Sequence, residues 1–266
     1  MSPKLMGIVN VTPDSFSDGG RYLDADAAIA HGGELFRDGA EILDVGGEST
    51  RPGADPVGVE EELRRVEPVV AGLAGTATVS IDTSKAAVAE AAIDAGAEIV
   101  NDVTALRGDP EMAALCAGRG VGVVLMHMPG DPRTMQDDPR YDDVVDDVKA
   151  FLAERLEFAV SQGIAEDRIW LDPGIGFGKT LEHNLELLRR LGELRRLERP
   201  LVVGTSRKSF IGRIDGSAVE DRLGGTIASS VLAVAEGADV LRVHDVAEMA
   251  QAVRVAEAVL GAYPDR

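Results

Sequence analysis

The chain has one cysteine, Cys116, in 266 residues. No internal disulfide can form, and nothing here supports an oxidising, secreted setting. Within Ala114-Leu115-Cys116-Ala117 the thiol reads as a small apolar residue on a buried helix face. Cations are scarce as well: 27 Lys and Arg stand against 46 Asp and Glu, for a formal net charge of −19. Such a chain lacks the basic face that nucleic acid or an anionic membrane requires, so neither is expected as a partner. The acidity itself reads as solubility or adaptation to salt, and it makes any basic cluster local and purposeful. No apolar run approaches the roughly 18 residues of a membrane span. The opening Met1-Ser2-Pro3-Lys4-Leu5-Met6 leads into a strand-like run without the apolar segment of a secretory signal. A cytoplasmic protein is the expectation.

A Walker phosphate loop is missing too, although one stretch invites it. Leu171-Asp172-Pro173-Gly174-Ile175-Gly176-Phe177-Gly178-Lys179-Thr180 puts three glycines and a lysine between a strand-like run and a helical pattern. The Walker pattern needs a glycine five residues before its Gly-Lys-Thr, and that position is Pro173. Lys179 then reads as helix-start decoration, and the aspartate and glycines need another reason. Neither a Ser-His-Asp nor a Cys-His arrangement is evident.

What is present is alternation. Short Val-, Ile- and Leu-rich runs at 5–9, 41–45, 78–81, 99–100, 121–126, 169–171, 201–203 and 240–243 mostly lack polar alternation. Parallel strands buried on both faces look like this. Between them lie amphipathic segments: residues 142–162 carry Val144, Val145, Val148, Phe151, Leu152 and Leu156 at helical spacing, and 246–260 carry Met249, Val253, Ala256 and Leu260. Asp38-Gly39-Ala40, Ala95-Gly96-Ala97 and Glu236-Gly237-Ala238 fall where a helix ends and the next strand begins. Eight strand–helix units without a linker-like break point to an α/β protein, a (β/α)8 TIM barrel spanning residues 1–266 as one domain. A doubly wound open sheet is the alternative, and it would more usually carry a Gly-x-Gly-x-x-Gly turn after an early strand.

A barrel collects its active residues at the C-terminal ends of its strands. The runs end in Asn10, Asp44 to Gly53, Asp82-Thr83-Ser84-Lys85, Asn101-Asp102, His127, Asp172, Ser206-Arg207-Lys208 and Arg242-Val243-His244-Asp245. Asp82, Asn101 and Asp172 come from three different strands and suit a flat heterocycle with amino and ring N–H donors. Asp102 and Asp245 read instead as caps or backbone partners. Arg207, Lys208, Arg242 and His244, with Arg51 near, form a basic group where barrels often bind phosphate. Long loops at residues 11–21 and 46–58 complete the mouth, and Phe16 lies in the first. Asn10 is a neutral oxygen donor, suited to a Mg²⁺ that arrives with substrate phosphates and keeps most of its waters. His127 reads as a structural histidine near the rim, and His31 and His183 as solvated helix residues.

The motifs resemble those of the dihydropteroate synthase family, pterin-binding TIM barrels. Gly7-Ile8-Val9-Asn10-Val11-Thr12-Pro13-Asp14-Ser15-Phe16-Ser17-Asp18-Gly19-Gly20 is similar to the family's opening motif. The likeness continues through Gly46-Gly47-Glu48-Ser49-Thr50-Arg51-Pro52-Gly53-Ala54, Ser80-Ile81-Asp82-Thr83, Asn101-Asp102-Val103, Asp172 to Lys179, Ser206 to Phe210 and Arg242 to Val246. The resemblance implies that Asp82, Asn101, Asp172 and Lys208 hold a pterin ring. Thr50, Arg242 and His244 would bind a diphosphate, with Arg51 beside them and Asn10 on Mg²⁺. Phe16, Pro52, Phe177, Lys208 and Ser209 would receive p-aminobenzoate. Lys208 and Arg242 would act in the reaction, and Asp18 is the candidate for stabilising a cationic pterin. The implied activity is a Mg²⁺-dependent condensation giving 7,8-dihydropteroate and diphosphate in folate biosynthesis, by a homodimer formed through late helices. Two other readings stand beside it: a pterin-binding paralogue without activity, and a methyltetrahydrofolate:corrinoid methyltransferase, which would have no use for a diphosphate cluster.

Overall fold

A computed structural model describes residues 2–12, 25–49, 55–130 and 134–261. Each apolar run becomes a strand: β1 (Lys4–Asn10), β2 (Ile42–Gly46), β3 (Thr78–Asp82), β4 (Ile99–Asp102), β5 (Gly122–Met126), β6 (Ile169–Asp172), β7 (Val202–Val203) and β8 (Val240–Val243). All pairings are parallel, in the order β6-β5-β4-β3-β2-β1-β8-β7. A single bridge, Leu171 to Leu201, joins β6 to β7 and closes the ring. The described helices are α1 (Ala25–Asp38), α2 (Val59–Leu73), α3 (Ala86–Asp94), α4 (Met112–Arg119), α5 (Val144–Ser161), α6 (Leu181–Arg189), α7 (Ser209–Asp215), α8 (Leu223–Ala235) and α9 (Val246–Val259). This is the expected (β/α)8 barrel, not the open sheet. The seventh unit carries two helices, α7 and α8, and β5 and α5 are joined by a third long connection that the sequence reading did not single out.

Helix boundaries follow local chemistry. The Asp143 carboxylate accepts the Val145 and Asp146 amides, so α5 starts at Val144. Thr180 and His183 cap the start of α6 reciprocally, which gives His183 a structural duty in place of the solvated position expected for it. No described helix is long and apolar enough to cross a membrane.

Strand alternation divides the barrel interior into tiers. Met6, Ile42, Ile99, Val124, Val202 and Val240, with Trp170 against them, form an apolar plug separate from the main core between sheet and helices. Two residues further along their strands, on the same face, stand Asp44, Asn101, Asp172 and Arg242. β1, β3, β4 and β6 thus run one or two residues past their apolar stretches, through Asn10, Asp82, Asn101 and Asp172.

Candidate active site

The upper tier is a connected network. Arg242 on β8 donates from Nε to Asp44 Oδ2 at 2.6 Å and from its second terminal nitrogen to Asp82 Oδ2 at 2.7 Å. The Asn101 amide donates to the same Asp44 oxygen at 3.1 Å. Register brings these residues together, since Gly46 lies beside Asp82 and Asp82 beside Asn101. Asp44 is fully buried, and its other oxygen, Oδ1, has no hydrogen-bond partner. Burial pushes the Asp82 carboxyl well above its ordinary range, while the charge of Arg242 opposes that rise. Burial raises Asp172 as well, countered by a backbone hydrogen bond and by the charges of Lys208, Arg242 and Lys179. Three buried carboxylates around one guanidinium leave acceptor capacity for a ligand rich in N–H donors.

Asp172 Oδ1 accepts the Gly174 amide at 2.7 Å, closing a short turn. The glycines that follow answer a steric demand. Gly174 has φ 66°, and a Cβ there would lie 2.0 Å from the His127 carbonyl oxygen; Gly178, at φ 59°, would place one 2.2 Å from Pro129 Cγ. The loop is pressed onto the segment after β5, and only glycine permits both the conformation and the approach.

Lys179 corrects the reading of it as helix-start decoration. Its side chain is 1% exposed, and Nζ lies 2.9 Å from His127 Nδ1 and donates to the Phe177 carbonyl at 2.9 Å. Burial brings its ammonium down to about 7, and burial with the Lys179 charge pushes His127 down to about 2. The pair is an internal strut between the β5 and β6 ends, which agrees with a structural His127. The Lys208 ammonium stands 3.9 Å from the Phe177 ring centroid, so the two residues expected at a p-aminobenzoate site are adjacent. Ser209 is exposed at the first turn of α7.

The basic group divides. Arg207 pairs with Asp245 through two contacts, at 2.5 and 3.2 Å, so its charge is largely answered. His244 remains, with Nδ1 2.9 Å from Ser206 Oγ. Burial and the neighbouring Arg242, Arg207 and Lys208 bring its imidazole down to about 3, against the opposing charge of Asp245. Asp102 serves as a backbone partner, accepting the Thr104 and Leu106 amides at 2.8 Å in the turn after β4. Lys85 joins Glu48 to the buried Glu62, fixing the chain that leads into the second long loop. Phe16, Asp18, Thr50, Arg51 and Pro52 lie outside the described residues.

Among the described residues no group of three His, Cys, Asp or Glu side chains could hold a metal alone. Asn10, half-buried at the end of β1, offers one neutral oxygen. That donor set fits a hard cation carried in on phosphate oxygens rather than a resident one.

Fold and site together define an enzyme of the (β/α)8 class, with its polar groups at the C-terminal strand ends. The pterin binding enzyme family model matches residues 6–244. The dihydropteroate synthase of Escherichia coli (strain K12) is 48% identical over 262 residues, covering 98% of this chain and 93% of the relative. The solved Yersinia pestis dihydropteroate synthase, in a sulfonamide drug complex, superposes with a TM-score of 0.93 at 46% identity, covering 98% of this chain and 95% of that one. That of Xanthomonas albilineans with 4-aminobenzoic acid gives 0.92 at 50% identity, covering 99% and 94%. The chain belongs to the pterin-binding enzyme family and, within it, to the dihydropteroate synthases, which are transferases.

Proposed function

We propose that the chain joins a 7,8-dihydropterin-6-ylmethyl diphosphate to p-aminobenzoate, giving 7,8-dihydropteroate and diphosphate. The observation that carries this reading is the buried tier of Asp44, Asp82, Asn101, Asp172 and Arg242, with Lys208, Phe177 and His244 around it. The carboxylates accept the amino and ring N–H groups of the pterin, and Asn101 orients it. Arg242 and His244 donate hydrogen bonds to the diphosphate, and Thr50 and Arg51 of the second loop are the further candidates for that role. Magnesium, held by phosphate oxygens and the Asn10 amide oxygen, would add positive charge where the leaving group gains negative charge.

As the methylene C–O bond breaks, its electron pair leaves with the diphosphate. The positive charge on the carbon spreads into the pterin ring, with Asp18 as the candidate carboxylate facing it. The aniline nitrogen of p-aminobenzoate attacks with its lone pair and then loses a proton to solvent. An arylamine is already neutral at pH 7, so no strong general base is required. Phe177, Lys208 and Ser209, with Phe16 and Pro52, form the p-aminobenzoate site, and a sulfonamide would compete there. Purified protein given the pterin diphosphate, p-aminobenzoate and Mg²⁺ should release dihydropteroate and diphosphate in equal amounts. Folded protein that binds pterin without turnover would instead be the inactive paralogue.

The same proposal includes a homodimer formed with a second copy through the late helices. Leu232 on α8 is 64% exposed, and Val255 and Val259 on the adjacent α9 are 59% and 80% exposed. Apolar side chains gathered on neighbouring helices suit a self-complementary contact. Sedimentation should give a dimer mass for the natural chain and a monomer mass for Leu232→Glu/Val259→Glu. An unchanged mass in that variant would move the interface elsewhere.

A further inference from the structure

We infer that Ser206 is a positioning residue that fixes His244 with its ring proton on Nε2, so that a donor and not a lone pair meets the anionic end of the substrate. The argument rests on the reading of His244 as a diphosphate contact, and otherwise on proton counting. The Ser206 hydroxyl is 5% exposed and meets His244 twice. It accepts the His244 backbone N–H at 3.2 Å and lies 2.9 Å from His244 Nδ1. A backbone amide can only donate, so one lone pair of Oγ is taken there. The hydroxyl has a single proton, and among the described residues Nδ1 is its one acceptor within hydrogen-bond distance. Were Nδ1 protonated instead, both would be donors facing each other or the hydroxyl proton would be left without an acceptor in a buried place. Nδ1 therefore accepts, and the proton of a neutral ring sits on Nε2.

The surrounding charges make the tautomer matter. Burial, with the charges of Arg242, Arg207 and Lys208 and against that of Asp245, disfavours the imidazolium at neutral pH. A neutral ring can help an anion only through its one N–H. With that proton on Nδ1, Nε2 would turn a lone pair toward phosphate oxygen. The backbone is arranged for the contact: Arg207, next to Ser206, holds φ 56°, a left-handed conformation uncommon for a residue with a side chain. It is pinned by its N–H on Thr226 Oγ1 at 3.0 Å, by its carbonyl accepting from Arg222 at 3.0 Å, and by its ion pair with Asp245.

The test uses the full chain with labelled histidine and long-range proton–nitrogen correlation NMR, the His244 signals being assigned by their loss in His244→Gln. The natural protein should show a protonated Nε2 and an unprotonated Nδ1. Ser206→Ala should give a mixture of tautomers and bind inorganic diphosphate about tenfold more weakly, the scale of one hydrogen bond. Ser206→Thr, which keeps the hydroxyl, should restore both. A natural protein with its proton on Nδ1, or a Ser206→Ala variant with the tautomer unaltered, would overturn the inference. The first of these needs no variant to fold. A changed tautomer with diphosphate affinity untouched would overturn the diphosphate role of His244 while leaving Ser206 in control of the ring.

Discussion

Arg242→Met should lower turnover by about a thousandfold and cost about 3–5 kcal/mol of folding stability near pH 8, with the stability loss shrinking as the pH falls. The catalytic loss follows from removing a preorganised donor from the leaving diphosphate. The stability loss has a separate origin. Among the described residues Arg242 is the only cation bonded to both Asp44 and Asp82, and its deletion leaves two buried carboxylates facing each other. Burial already raises the Asp82 carboxyl and Arg242 restrains it, so the variant lifts that carboxyl further. The folded variant then holds a proton that the unfolded chain has released by about pH 5. Where the folded state binds more protons, stability falls as pH rises. Denaturant titrations at about pH 5 and pH 8 should therefore show the larger deficit at pH 8. An equal deficit at both would mean that the guanidinium does not neutralise these carboxylates.

Asp172→Asn should weaken pterin binding by about 1.5–3 kcal/mol, roughly ten- to a hundredfold or slightly more in Kd, while the fold keeps its stability. The substitution is nearly isosteric. The amide oxygen can still accept the Gly174 N–H, so the turn into the glycine loop survives. The other oxygen becomes an NH₂ group, a donor turned toward the donors of a pterin. Lys208 and Arg242 lose part of the negative charge that balances them. The natural carboxylate is itself disfavoured by burial, so the amide holds or slightly raises the stability of the empty protein. Equilibrium titration with a pterin, beside a thermal melt, separates the two effects. Undiminished affinity would falsify the placement of the ring against Asp172.

The barrel was legible because the strands are apolar on both faces, and because polar residues recur where each run stops. The same habit hid where the strands end. Asn10, Gly46, Asp82, Asn101, Asp102 and Asp172 look like the beginnings of loops, yet they belong to the ladder. An inward polar residue at a strand's last position is satisfied by the site and not by the apolar core, so hydrophobic runs understate length there. Asp82, Asn101 and Asp172 could be chosen from position alone. Asp44 is visible as a polar residue at the end of the second strand, and its sharing a face with Ile42 marks it as inward, but only the Arg242 and Asn101 contacts join it to the site. What no local pattern carries is the choice of partner. Arg242 finds Asp44 across 198 positions, and Arg207, equally basic on paper, is spent on Asp245. Lys179 misled for a related reason: a lysine beside glycines looks solvated until the fold brings the His127 and Phe177 carbonyl groups around it.

The apolar plug beneath the polar tier has a consequence for traffic. Met6, Ile42, Ile99, Val124, Trp170, Val202 and Val240 leave the lower end of the barrel without a polar path. The chamber is a cul-de-sac, and arrivals and departures share one doorway. Anything resting on the Asp44–Asp82–Asn101 floor must therefore enter and leave by the upper end. That one-sidedness is written into the alternation of side chains along the strands, apolar below and polar above.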